Sequence, residues 1–252
     1  MADKKWFETW FDTPYYHLLY NNRDDQEAQN FVSKLVSYLN LPPNTRILDV
    51  ACGKGRHSRY LAKLGYETTG LDLSPHSIAE AMKQPLPNLH FEVWDMRKVY
   101  RQEYFDLVVN LFSSFGYFDN EQDDQAAICA MAADLRSGGT LVLDYMNPEC
   151  TVKTMGNRMI VDRGEVQFHI RKKIEGGFIK KEIEFLADGQ NQQYEEQLKL
   201  IKPEQFQKLF AAAGLKINHI FGDYDLNPFE PGASKRQVMI AEKLPHPNKF
   251  TK

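Results

Sequence analysis

The chain has 252 residues, of which 42% are hydrophobic, 26% charged and 12% aromatic, a composition that excludes a disordered or fibrous chain. The formal net charge of -3 speaks against sequence-independent nucleic-acid binding, which needs a strong basic field. Three scattered cysteines (Cys52, Cys129 and Cys150) exclude a disulfide framework and a structural zinc site, and no apolar run is long enough to span a bilayer.

The opening Met-Ala-Asp-Lys-Lys-Trp carries no apolar signal core, so a soluble cytoplasmic protein is expected. Residues 1–44 read as a helical cover. Trp6, Phe7, Trp10 and Phe11 recur at helical spacing, as do Phe31, Leu35, Val36 and Leu39 before Leu41-Pro42-Pro43. Such stripes pack against a core. From residue 45 short apolar strands alternate with helices. Arg46–Cys52, Glu67–Leu73, Leu89–Asp95, Phe105–Phe112 and Thr140–Met146 read as strands. Helices are expected at 56–64, from Ser74-Pro75 onward, and at 121–136, the last ended by Gly138-Gly139. This rhythm predicts an α/β, Rossmann-like, seven-stranded and mostly parallel sheet with helices on both faces.

Residues 158–201 break the rhythm. Val166, Phe168 and Ile170 alternate with polar residues, and Gly176-Gly177 and Asp188-Gly189 are turn signals. An antiparallel β-meander inserted over 151–201 is expected, serving as a lid or a dimerisation element. A helix from Pro203 to Gly214 and strands at Leu215–Phe221 and Gln237–Ala241 complete the sheet, the last pair antiparallel. The chain is thus expected to be one domain over 1–252, with its core at 45–150 and 202–244.

The segment that carries chemistry is Asp49-Val-Ala-Cys-Gly-Lys-Gly-Arg56, where a strand delivers its end into a glycine turn and a helix begins. Open α/β sheets bind ligands at this place. Asp72 ends the second strand, 17 residues after Gly55, where a carboxylate can accept from both hydroxyls of a ribose. A dinucleotide site wants a third glycine, and Ser58 stands there instead. Asp49 would repel a pyrophosphate but suits an ammonium group. S-adenosylmethionine carries an ammonium, a sulfonium and a ribose diol without phosphate, so the electrostatics favour it over NAD.

Asp49–Arg56 resembles the first motif of class I S-adenosylmethionine-dependent methyltransferases. Thr69-Gly-Leu-Asp-Leu-Ser74, Asp95-Met96-Arg97, Phe105–Asn110 and Ser137–Leu143 resemble the next four, in order, across residues 45–147. A bacterial small-molecule type with a β insertion after the fifth strand is similar in plan. The resemblance implies that Ala51, Gly53 and Gly55 bring backbone close to the methionine part of the cofactor and that Asp49 faces its ammonium. It implies Asp72 on the ribose diol, Leu73 against adenine, Asp95 on the adenine amino group and the Met96 N–H on the ring nitrogen. Asn110, at the end of the fourth strand, would offer its carbonyl near the methionine ammonium, and Phe112 would also touch the cofactor. Tyr16 resembles an N-terminal tyrosine that reaches the cofactor carboxylate, with Tyr15 and Tyr20 as neighbours of the same type.

Methyl transfer is an in-line displacement in which the protein mainly orients and encloses the reactants. No catalytic residue stands out by spacing. Cys52 reads as a packed residue and His57 as a packing or capping one. Asn110-Leu111-Phe112-Ser113 is not the Asn/Asp-Pro-Pro-Tyr signature of amino-nitrogen methylation of adenine or glutamine, and no metal-ligand cluster is present. Ser113, Phe115 and Tyr117 are expected to wall a small-molecule acceptor pocket. Arg163, Arg171, Lys172, Lys173, Lys180 and Lys181 would form the basic stripe of an RNA or protein methyltransferase, but interleaved glutamates read as a solvated face. A non-catalytic cofactor-binding protein is the third reading, and the chain is expected to act as a monomer or homodimer.

Overall fold

The computed structural model describes residues 5–20 and 25–245; the rest of the N-terminal cover and the C-terminal residues lie outside them. Three helices open the chain: α1 (Trp6–Trp10), α2 (Pro14–Leu19) and α3 (Asp25–Leu39). The α/β part follows as β1 (Arg46–Val50), α4 (Arg56–Lys63), β2 (Glu67–Asp72), α5 (Pro75–Ala81), β3 (Leu89–Val93), β4 (Phe105–Asn110), α6 (Glu121–Asp134) and β5 (Leu135–Met146). The insertion holds α7 (Pro148–Thr154), β6 (Arg158–Arg163), β7 (Val166–Glu175), β8 (Phe178–Ala187) and β9 (Gln190–Lys199). The chain closes with α8 (Pro203–Ala212), β10 (Leu215–Phe221) and β11 (Arg236–Lys243).

The main sheet has seven strands in the order β10-β11-β5-β4-β1-β2-β3, with β11 antiparallel to both neighbours. The order reverses between β1 and β4, so the loops leaving these two strands open the ligand-binding crevice. Alternation along the buried strands divides the core. Val108, Leu141 and Leu143 pack toward α6 and α8, while Leu107, Val109 and Val142 face Phe31, Leu35 and Leu61 of α3 and α4. Both faces are apolar, as a covered parallel sheet requires.

The meander is a separate four-stranded antiparallel sheet, β6-β7-β8-β9. Its apolar face, with Phe168, Ile170, Ile183 and Phe185, is covered by Trp10 and Leu19 of the N-terminal helices. The Trp10 indole N–H donates to Glu196 on β9 at 2.7 Å. Helices α1 and α2 therefore lie between this sheet and the carboxyl ends of the main strands.

Three local expectations are corrected. Helix α6 ends at Asp134, not 136, and Gly138-Gly139 lie inside β5. Asp134 is buried and accepts from the Tyr100 and Arg101 N–H groups, so the chain leaves the helix there; Leu135 then pairs with Phe105 before the register shifts. Strand β4 stops at Asn110, because Phe112 and Ser113 turn into the left-handed region at φ 60° and 59°. Helix α7 and strand β6 carry periodicities too short and irregular to read beforehand.

Candidate active site

Three connected cavities open at the carboxyl ends of β1, β2 and β4, and all three share Phe11 and Tyr117. The first is bordered by Ala51, Asp72, Leu73, Trp94, Asp95 and Met96. The second residue group, around the glycine loop, includes Asp49, Gly53, Lys54, Arg56, His57 and Tyr16. The third is a cleft, open to solvent, between Phe112, Ser113 and Tyr117 on one side and Lys172, Lys181 and Glu196 of the insertion on the other.

The glycine loop is built for close approach. Ala51, Gly53 and Gly55 have φ of 59°, 57° and 75°, a left-handed path that glycine adopts without steric cost. The two glycines serve different ends. A Cβ at Gly53 would meet nothing within 4 Å, beside a cavity that Gly53 borders. A Cβ at Gly55 would lie 2.3 Å from Phe91 Cζ, so Gly55 lets α4 seat on β3 instead of touching the cavity. This corrects the expectation that both glycines approach the ligand.

Asp72 organises the loop. Its Oδ2 accepts from the Gly53 N–H at 2.8 Å and its Oδ1 from the Ser74 N–H at 2.9 Å. Each oxygen keeps a second acceptor site toward the cavity. Burial pushes its carboxyl above the usual range, and the two N–H donors oppose that shift. Asp49 is buried behind the loop and accepts from Ser58 Oγ at 2.5 Å. Burial raises it to about 7, so a bound cation would favour its ionised form. Asp95 takes both oxygens' bonds from Arg97, at 3.0 Å from Nε and 2.7 Å from Nη2. Burial works upward on Asp95, but these bonds outweigh it and hold its carboxyl below the usual range. Burial also raises the Cys52 thiol well above its ordinary value, which fits a packed rather than nucleophilic cysteine.

Asn110 is fully buried and lines none of the three cavities; its Nδ2 donates to Val50 O at 3.0 Å and Ser114 O at 3.2 Å, tying β4 to the end of β1. One further expectation is corrected. Phe115 is fully buried against Phe206 at a ring distance of 5.8 Å, so it belongs to the core and not to an acceptor wall. Ser113, Tyr117 and Phe112 do border the cleft, and Tyr16 borders both it and the glycine-loop cavity. Tyr20 shares both positions, whereas Tyr15 donates to Asp188 at 2.9 Å on the surface. Trp94, Phe7 and Phe118 also border the first cavity. None of the three is assigned to the site from the sequence; the signal for Trp94 is its place beside Asp95, whereas Phe7 and Phe118 come together only in the fold.

The turn after β4 is held by a buried ion pair. Asp144, at 0% exposure, accepts from the Phe112 N–H at 2.7 Å, from the Tyr224 hydroxyl at 3.1 Å and from Arg236 Nε at 2.8 Å. Arg236 Nη2 donates to Ser113 Oγ at 3.0 Å. Phe112 then stacks between Tyr224 and His57, each with a ring distance of 4.9 Å. Two non-glycine residues in the left-handed region cost about 1–3 kcal/mol each, and such strain persists where the surroundings over-determine it.

The arrangement fits S-adenosylmethionine. The first cavity combines apolar walls with Asp72, Asp95 and Glu8 and has no lysine or arginine, so it repels a pyrophosphate and accepts an adenosine. The glycine-loop cavity sets Lys54, Arg56 and Arg59 beside Asp49, which suits a zwitterionic amino-acid end.

Comparison with known proteins agrees. A family profile described as a methyltransferase domain matches residues 47–139. The dTDP-3-amino-3,4,6-trideoxy-alpha-D-glucopyranose N,N-dimethyltransferase of Streptomyces venezuelae is 30% identical over 189 residues, 72% of this chain and 79% of that protein. The dTDP-3-amino-3,6-dideoxy-alpha-D-glucopyranose N,N-dimethyltransferase of Streptomyces fradiae is 29% identical over 72% of this chain and 74% of its own. Among solved structures, the sugar N-methyltransferase KedS8 from Streptoalloteichus sp ATCC 53650 superposes with a TM-score of 0.72 at 26% identity, covering 91% of this chain and 93% of that one. The chain belongs to the class I S-adenosylmethionine-dependent methyltransferases. It is a methyltransferase whose cofactor is S-adenosylmethionine. No helix among the described residues is long and apolar enough to cross a membrane, and the same residues hold no cluster suited to a metal ion.

Proposed function

We propose that the enzyme methylates the amino group of a small amine of the amino-sugar class, and that it does so in the cytoplasm. The observation that carries this reading is the cleft between the turn after β4 and the insertion, which meets the cofactor cavities at Phe11 and Tyr117. It is walled by aromatic rings with a few polar groups, as small-molecule sites are. The similarity to the two sugar N,N-dimethyltransferases supports an amine as acceptor.

In this reading Asp72 takes the ribose hydroxyls, Leu73 and Trp94 flank the adenine, and the Met96 N–H meets a ring nitrogen, with Asp95 held for the amino group by Arg97. Gly53 gives room for the methionine part, with Asp49 behind it and Tyr16 above. S-adenosylmethionine supplies an activated methyl on a cationic sulfur. The protein's own task is to present a neutral amine in line with that methyl and to keep water out. The insertion forms the far wall of the cleft, and α1–α2 cover it.

The test is incubation with S-adenosylmethionine and a nucleotide-linked 3-amino sugar, followed by mass spectrometry. One or two added methyl groups on the amine are expected. Methylation of a hydroxyl, with the amine untouched, would contradict the reading.

A further inference from the structure

The acceptor cleft has an unbalanced charge. Its charged border consists of Lys172 on β7, Lys181 on β8 and Glu196 on β9. The register places them in one row, Lys172 opposite Lys181 and Lys181 opposite Glu196. Two of the three satisfy each other. Glu196 accepts from Lys181 Nζ at 2.9 Å, from the Trp10 indole at 2.7 Å and from the Tyr20 hydroxyl at 2.8 Å. Lys181 also donates to the Tyr20 oxygen at 2.8 Å. The Glu196 charge is thereby balanced by Lys181 within this network.

Lys172 stands apart from this network. It borders the cleft, half-buried, and among the described residues no carboxylate lies within ion-pair distance of its ammonium. Burial lowers its pKa, with Lys181 adding to that and Glu196 opposing it. A half-buried cation with no carboxylate beside it is partly desolvated, and an anion bound next to it is favoured. The same charge disfavours an ammonium in the cleft, so an amine there is held in the neutral form that attacks a methyl group.

We propose that Lys172 is the anchor for an anionic group of the acceptor, a phosphate or a carboxylate, carried on the same molecule as the methylated amine. This rests on the small-amine reading above, but it is tested without an amine.

The probes are glucose 1-phosphate, gluconate and glucose, titrated by calorimetry into the complex with S-adenosylhomocysteine. At least one of the two anions is expected to bind roughly tenfold tighter than glucose. Lys172→Met, which keeps the apolar stem, should abolish that preference and leave S-adenosylhomocysteine binding unchanged; Lys172→Arg should retain it. Preference for the phosphate or for the carboxylate identifies the source of the charge. Equal binding of all three sugars, no binding of either anion at millimolar concentration, or an undiminished preference in Lys172→Met would overturn the proposal. Lys172-dependent anion binding by an enzyme that methylates an acceptor other than an amine would keep Lys172 as the anchor of the acceptor's anionic group and refute the amine reading.

Discussion

Replacing Asp144 with alanine is expected to lower the melting temperature by roughly 6–20 °C and to reduce turnover more than it weakens cofactor binding. The carboxylate is fully buried and holds the Phe112 N–H, the Tyr224 hydroxyl and the Arg236 guanidinium. Breaking a buried pair from one side costs about 3–5 kcal/mol, because the other charge stays buried without a partner. For a chain of this size each kcal/mol lowers the melting temperature by roughly 2–4 °C. The catalytic part of the effect has a separate origin. Without Asp144 the left-handed Phe112–Ser113 turn loses its strongest restraints, and that turn borders both the cofactor cavity and the acceptor cleft. The double variant Asp144→Ala with Arg236→Met removes the stranded charge. It should recover much of the stability while turnover stays low. Scanning calorimetry and turnover assays separate the two effects. A melting temperature unchanged by Asp144→Ala, or full recovery of turnover in the double variant, would contradict this account.

The second large effect is expected at Gly55. Alanine there places a methyl 2.3 Å from Phe91 Cζ and 3.3 Å from Ala81 Cβ, on a backbone with φ of 75°. Phe91 is itself buried among Cys52, Ile78 and Ala81, so the ring has no room to withdraw. The left-handed backbone costs about 1–2 kcal/mol and overpacking about 1–3 kcal/mol more. A loss of about 2–5 kcal/mol is expected, read from urea denaturation. Gly53→Ala is the contrast. It meets nothing within 4 Å and should cost only the backbone strain, but its methyl narrows the cofactor cavity. Stability should therefore fall mainly at Gly55 and cofactor affinity mainly at Gly53. The reverse pattern would show that the two glycines have been assigned the wrong roles.

That contrast also marks how far the site was legible in the sequence. Gly53 and Gly55 look alike in the Gly-x-Gly pattern, yet one faces a cavity and the other an aromatic ring from the third strand. The core itself was legible, because apolar strands alternating with capped helices permit few arrangements. Asp49, Asp72 and Asp95 were legible because strand ends of a parallel sheet gather at one edge. The acceptor cleft was not. Phe115 lies between Ser113 and Tyr117 in sequence, but the left-handed turn before it sends its ring into the core. Lys172 and Lys181 read as a solvated face, since the row they make with Glu196 depends on strand register. Asp144 looked like one more strand residue, and its partner Arg236 comes from the far end of the chain.

The central claim is that the Asp49–Asp95 edge of the sheet holds S-adenosylmethionine, and titration calorimetry tests it most directly. The wild-type protein should bind S-adenosylmethionine and S-adenosylhomocysteine at one site per chain with micromolar affinity. Asp72→Ala, still folded, should lose both by about a hundredfold or more, since Asp72 both shapes the Gly53 turn and faces the cavity. A folded wild-type protein that binds neither, or an Asp72→Ala variant that binds both as tightly as wild type, would contradict it.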